Sequence, residues 1–183
     1  MLANLAVGFL EGSSIAKGVE AADAMCKTAS VKLAKTSIVA RGKHLILITG
    51  PVGEVESSLR AGREILGQTL VDEVLIRNVH AQVIAALDKR VPVEVLGAVG
   101  VVETKDAVAA VKAADAAAKA AAVHVIEVKT VVPGGKGYLT VCGEVGDVRS
   151  AMAAAVSSLR PDQLVAHVVI PQADAQLLAA VGR

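Results

Sequence analysis

The chain has 183 residues, of which 54% are apolar, with 19 basic and 18 acidic side chains; that supplies core material for one ordinary domain or two small ones and excludes disorder as its main description. Aromatics make up only 1%, Phe9 and Tyr138 with no Trp, and the formal charge is +1. A nucleic-acid surface, which needs a basic footprint and stacking platforms, is excluded by that pairing, and a polybasic membrane anchor is equally unsupported.

The first ten residues are apolar apart from Asn4 but carry no basic side chain and no small-residue cleavage pattern, and they run into Glu11. Leu5 to Leu10 therefore reads as a buried strand rather than a secretory signal. Lys or Glu interrupts every stretch that approaches the roughly 18 to 20 apolar residues of a spanning helix, so the chain reads as soluble.

Ser13 or Ser14 is placed to cap a helix with Ile15, Val19, Ala22 and Cys26 on one face and Lys17, Glu20, Asp23 and Lys27 on the other. Val31 to Val39 and His44 to Thr49 read as strands joined by the tight turn Ala40-Arg41-Gly42-Lys43. A second helix starts near Gly53 with Glu54 in its first turn and buries Val55, Leu59, Gly62 and Leu66. Val71 to Ile76 supplies a last strand, and a short helix follows His80.

The same order then recurs. Ala6-Val7-Gly8-Phe9-Leu10-Glu11 returns as Ala98-Val99-Gly100-Val101-Val102-Glu103, and the block Glu20 to Lys27 returns as Lys112 to Lys119, both at an offset of 92. Gly42-Lys43 matches Gly135-Lys136, and Gly50-Pro51-Val52-Gly53-Glu54-Val55 matches Gly143-Glu144-Val145-Gly146-Asp147-Val148, at an offset of 93. Ala81-Gln82-Val83-Ile84-Ala85-Ala86-Leu87 matches Ala175-Gln176-Leu177-Leu178-Ala179-Ala180-Val181 at an offset of 94. In the second copy Asp106 caps a helix with Val108 and Val111 inward and Lys112, Asp115 and Lys119 outward; Val148, Met152 and Leu159 belong to the next helix, Leu164 to Ile170 to the last strand, and a short helix follows Asp174.

Two domains follow, 1–90 and 95–183, joined by the solvated stretch Asp88 to Glu94 with Pro92. The order β-α-β-β-α-β plus a tail helix predicts, for each, a ferredoxin-like α+β fold with helices on one sheet face.

The chemistry-bearing residues form no catalytic constellation. Cys26 and Cys142 are isolated, in neither a CxxC nor a metal-ligand spacing, and read as small buried apolar residues in a reducing cytosol. His44, His80, His124 and His167 lack HxH or HxxxH spacing and read as surface or half-buried. Gly42-Lys43 and Gly135-Lys136 lack the preceding Gly and following Ser or Thr of a phosphate loop, so they read as hairpin turns. Glu11 and Glu103 each end a strand and are expected to cap the helix or turn that follows.

Taken together, the Ala98-to-Glu103 block, Ala22-Asp23-Ala24-Met25-Cys26-Lys27 with its partner ending at Lys119, the Gly42 and Gly135 turns and the Gly143-to-Val148 block resemble the bacterial microcompartment shell domain. Two unpermuted copies covering nearly the whole chain resemble the tandem-domain trimeric shell proteins. The resemblance implies a homotrimer forming a pseudohexameric tile with a central pore. The tile would join other shell proteins, hexameric and pentameric, around encapsulated enzymes in the bacterial cytoplasm, with no enzymatic activity of its own.

It implies further that Lys27 and Lys119, four residues after Asp23 and Asp115, lie at tile edges; the alternative for each is an ordinary solvated ion pair. Arg77 answers a second edge residue of the family, whereas Ile170-Pro171-Gln172-Ala173-Asp174 lacks the Arg. The pore would be lined by Val39, Ala40, Arg41 and Gly42 and by Val132, Pro133, Gly134 and Gly135, with three copies of Arg41 favouring small anions, or with Arg41 turned onto a tile face. Some tandem shell proteins hold an iron-sulfur cluster through a Cys in this turn; Ala40 stands there, so no cluster, metal or other cofactor is expected. The competing function is a ferredoxin-like small-molecule-sensing regulator with ligands between repeats.

Overall fold

The computed structural model describes residues 5–87, 89–132 and 134–177. They divide into two units, one running up to Val79 together with Gly134 and Gly135, the other comprising the remainder from His80 onward.

In the first unit, β1 (Leu5–Gly12), α1 (Ile15–Thr28), β2 (Lys32–Val39), β3 (Lys43–Pro51), α2 (Val52–Leu66) and β4 (Leu70–Ile76) follow one another. The strands form an antiparallel sheet in the order β2-β3-β1-β4, the split βαβ pattern of a ferredoxin-like fold. Ser14 caps α1, its side chain accepting from the Lys17 amide. The core gathers Leu10, Met25, Ile46, Ile48, Val55 and Leu66 between the helices and one sheet face. Gly8 lets α2 lie close, since a Cβ there would meet Val55 Cγ1 at 2.7 Å.

The buried face of α1 differs from the expected one: Gly18, Ala21, Ala22 and Met25 are buried, while Ile15, Val19 and Cys26 are exposed. The cause is the close approach at Gly18, where a Cβ would collide with the ring of His44. The helix therefore presents its small residues, rather than its branched ones, to the sheet. His44, expected at or near the surface, is accordingly buried.

The second unit opens with α3 (Ala81–Ala86), the tail helix of the first repeat, and continues with β5 (Ala98–Thr104), α4 (Ala107–Ala120), β6 (His124–Lys129), β7 (Gly137–Gly143), α5 (Val145–Ser157) and β8 (Leu164–Ile170). Its sheet order β6-β7-β5-β8 repeats the first, all antiparallel. The register irregularities recur too, between Leu33 and Lys35 in β2 and between Val125 and Glu127 in β6. Asp106 caps α4 by accepting from the Ala109 amide, and Val108 and Val111 are buried as expected. After Asp174 only a turn is described, and residues 178–183 lie outside the described residues.

The joining stretch is not simply solvated. The Val91 amide donates to the Ile126 carbonyl at 2.8 Å, and Arg90 pairs with Glu127. Glu127 also accepts from Tyr138 Oη at 2.7 Å and from Lys129 Nζ at 3.1 Å. Burial raises the Glu127 pKa, but these donors outweigh it and leave it below the usual value.

Candidate functional site: the paired turns and the helix-end lysines

The first predicted turn reverses the chain through two consecutive left-handed residues, Arg41 at φ 65° and Gly42 at φ 70°. Gly adopts this conformation freely, whereas Arg pays for it, which makes Arg41 a strained and exposed residue at a hairpin tip. Val39, the last residue of β2, is buried, and Ala40 is half-buried. In the corresponding turn Gly134 and Gly135 take φ values of 88° and 78°; Val132 is half-buried, and Pro133 lies outside the described residues. Gly134 and Gly135 group with the first unit, where a Cβ on Gly135 would lie 3.7 Å from the Ala40 carbonyl oxygen. The two turns thus meet.

Each turn is braced by an ion pair. Lys43 Nζ lies 2.6 Å from Glu11 Oε1, with the carboxylate fully buried, and Lys136 Nζ lies 2.5 Å from Glu103 Oε1 in a more open setting. The repeated acids therefore hold the lysines of the Gly-Lys turns rather than capping a following helix. Both repeats carried that signal, because Glu and Lys recur together. Beside the first pair, His44 Nε2 sits 2.6 Å from Thr36 Oγ1, Nδ1 is buried without a hydrogen-bond partner, and burial lowers the imidazole pKa.

The helix-end lysines both close i,i+4 pairs, Lys27 with Asp23 at 2.6 Å and Lys119 with Asp115 at 2.5 Å. They are not equivalent. Asp23 is exposed, whereas Asp115 is buried and also accepts from the His80 amide at 2.8 Å. Arg77 is exposed and is held by Glu56 of α2 through both Nε and Nη2. That partner was not anticipated, since an Arg on a strand end and a Glu on a helix share no sequence spacing.

Among the described residues no three His, Cys, Asp or Glu side chains are grouped as metal ligands, and no helix is long and apolar enough to cross a membrane. Cys26 lies on α1 and Cys142, which is buried, in β7. Neither thiol belongs to the turns, so the residues present there do not fit a thiolate-held cluster. An open groove of about 340 Å³ between α2 and β4 is lined by Arg60, Arg63 and Arg77, but Arg63 and Arg77 are already matched by Glu73 and Glu56.

Comparison with known proteins agrees with the duplicated fold. The BMC domain family matches twice, over residues 6–79 and 98–173. The chain is 40% identical over 169 residues to the bacterial microcompartment shell protein PduT of Citrobacter freundii, covering 91% of this chain and 92% of that one. A single stretch of 88 residues, 46% of this chain, is 36% identical to 90% of the major carboxysome shell protein CsoS1A of Halothiobacillus neapolitanus. Among solved structures, a microcompartment protein from Desulfitobacterium hafniense superposes with a TM-score of 0.86 at 38% identity, over 96% of this chain and 98% of that one. With two BMC domains in unpermuted order and a full-length shell-protein relative, the chain belongs to the tandem-domain family of bacterial microcompartment shell proteins and is a structural component of such a shell.

Proposed function

We propose that the chain assembles as a homotrimer in which three copies of the two domains, 1–90 and 95–183, surround a threefold axis as a pseudohexameric tile. Odd and even positions around the ring are then filled by the two repeats, and the apolar flanks of an aliphatic, aromatic-poor chain are buried in heterologous contacts. The meeting of the turns, Gly135 beside the Ala40 carbonyl, carries this reading, because it brings the matching hairpin tips of both repeats to one place.

The tips line a central pore for passive passage of small metabolites. Three Arg41 guanidinium groups around one axis favour carboxylates or phosphorylated anions. The tile acts without catalysis and without a cofactor, Ala40 standing where a cluster would require a thiol. Its partners are other shell proteins at the tile edge, through Lys27, Lys119 and Arg77, and encapsulated enzymes within, in the bacterial cytoplasm. The test is the mass of the purified chain by light scattering, expected near three times 18.5 kDa, together with electron microscopy for sheets or tubes. A protein that remains monomeric or dimeric at high concentration overturns the reading.

A further inference from the structure

Beneath the first turns of α1 and α4 the two repeats fill one slot in opposite ways. In the first, His44 of β3 stands opposite Gly12 of β1, and a Cβ on Gly18 would lie 2.5 Å from His44 Cβ and Cγ. In the second, Gly137 of β7 stands opposite Thr104 of β5, and a Cβ on Gly137 would lie 2.7 Å from Ala110 Cβ. The repeat offsets of 92 and 93 equate Gly18 with Ala110 and His44 with Gly137. The glycine therefore lies on the helix in one repeat and on the strand in the other. The second slot closes on Ala110 with no ionisable group, so packing alone does not call for an imidazole in the first.

The His44 ring is buried. Nε2 meets Thr36 Oγ1 at 2.6 Å, and Nδ1 has no partner among the described residues. An imidazolium carries an N–H on both nitrogens, so a proton here adds a buried donor with no acceptor to the cost of burying the charge. The packed elements bring no counter-charge. On α1 the nearest charges, Lys17 and Glu20, pair with each other at the surface. By strand alternation Lys35, Lys43 and Glu11 belong to the other sheet face, where Lys43 holds Glu11. From α2 the side chain nearest Gly12 is Leu66. Burial accordingly lowers the imidazole pKa.

We infer that His44 is a proton-operated latch for the first hairpin alone: the neutral ring holds β2 and β3 beneath α1, and the imidazolium leaves the slot for water, freeing the hairpin tip that carries Arg41. Local opening hydrates the charge without unfolding the rest of the domain. This deepens the pore reading and rests on it for its consequence at the axis. In acid the Arg41 tips lose their fixed places, while the Gly134–Gly135 tips keep theirs.

The two hairpins of the unaltered chain serve as each other's control. Backbone hydrogen exchange, corrected for the chemical exchange rate at each pH, is read by mass spectrometry over β2–β3 and over β6–β7 at pH 7.5 and 5.5. Opening of β2–β3 is expected to rise by up to about tenfold at pH 5.5, below the ordinary imidazole value of 6.5, with β6–β7 unchanged. The double variant Gly18→Ala, His44→Gly, which copies the packing of the second repeat, is expected to abolish the rise. Equal acceleration of both hairpins, no acceleration of β2–β3, or a rise that persists in the double variant overturns the latch. The first two outcomes are decided on the parent chain whether or not the variant folds. Passage through assembled shells separates the latch from the pore. The preference for small anions over neutral solutes of equal size should fall at pH 5.5 in the parent and hold in the double variant. Faster β2–β3 exchange with an unchanged preference keeps the latch and overturns the placing of Arg41 at the axis.

Discussion

Lys43 Nζ reaches across the sheet to the fully buried carboxylate of Glu11 at 2.6 Å, fixing the base of the hairpin whose tip carries Arg41. The Lys136–Glu103 pair does the same for the second hairpin in a setting where both partners are substantially exposed. Because the cost of breaking an ion pair depends on what is left buried, the two repeats should respond differently to one chemical change. Lys43→Ala is expected to destabilise the protein by about 3 kcal/mol, since it takes the cation away from a fully buried carboxylate. Lys136→Ala should cost about 0.5 kcal/mol. Denaturant unfolding of the two variants checks the contrast.

His44 sets a pH dependence. Its folded pKa lies below 6.5 because burial penalises the imidazolium, so the unfolded chain takes up the proton first as pH falls. The contribution to stability is complete above the unfolded value and is lost as pH falls through the folded one. The denaturant midpoint should therefore fall between pH 7.5 and 5.5, and His44→Gln should flatten that slope even though it lowers the midpoint overall by losing the packing against Gly18.

Gly8 and Gly100 occupy equivalent positions beneath a helix. A Cβ at Gly8 would meet Val55, Ile48 and Leu59 at 2.7 to 3.0 Å, whereas at Gly100 the first atoms met belong to Met152 at 2.8 Å. Branched side chains move less readily than an unbranched thioether. Gly8→Ala is expected to cost about 1 to 3 kcal/mol and Gly100→Ala less, as read by thermal or denaturant unfolding.

At the hairpin tip, Arg41→Glu should leave the trimer mass unchanged and reduce the passage of small anions through assembled shells, with a weaker effect at high salt. Equal anion permeability in variant and parent would place the guanidinium away from the axis.

Lys27→Ala and Lys119→Ala should each abolish sheets while retaining trimers. The Lys27–Asp23 pair is exposed on both sides, so its loss should change unfolding stability by only about 0.5 kcal/mol. A loss of sheets can then be separated from a loss of fold by comparing electron micrographs with denaturant midpoints.

Repetition made the architecture readable. Each strand and capped helix carries its own local pattern, and finding Asp106 where Ser14 stands strengthens both assignments. The inward face of α1 was less legible, because periodicity weighs Ile15 and Val19 above the small residues. It cannot register that Gly18 faces a histidine ring delivered by another strand. The partner of Arg77 was hidden for the same reason: Glu56 reaches it through helix placement, which sequence spacing does not encode, whereas the recurrence of Glu with Lys was the only sequence sign of the Glu11–Lys43 pair. The turns were evident from Gly42 and Gly135, whereas the left-handed conformation of Arg41 had no compositional sign.

Tyr138 has a further consequence. It is the sequence's sole tyrosine, and there is no tryptophan, so ultraviolet emission excited at tyrosine rather than phenylalanine wavelengths arises at one phenol in β7. That phenol donates to Glu127, and its pKa is pushed up to about 12 by burial and by the carboxylate. Tyrosine fluorescence is consequently a one-domain signal: it reports the opening of the second repeat and is blind to the first. Circular dichroism weighs both repeats, so any lag between the two signals during unfolding measures how far the two halves of the chain melt independently.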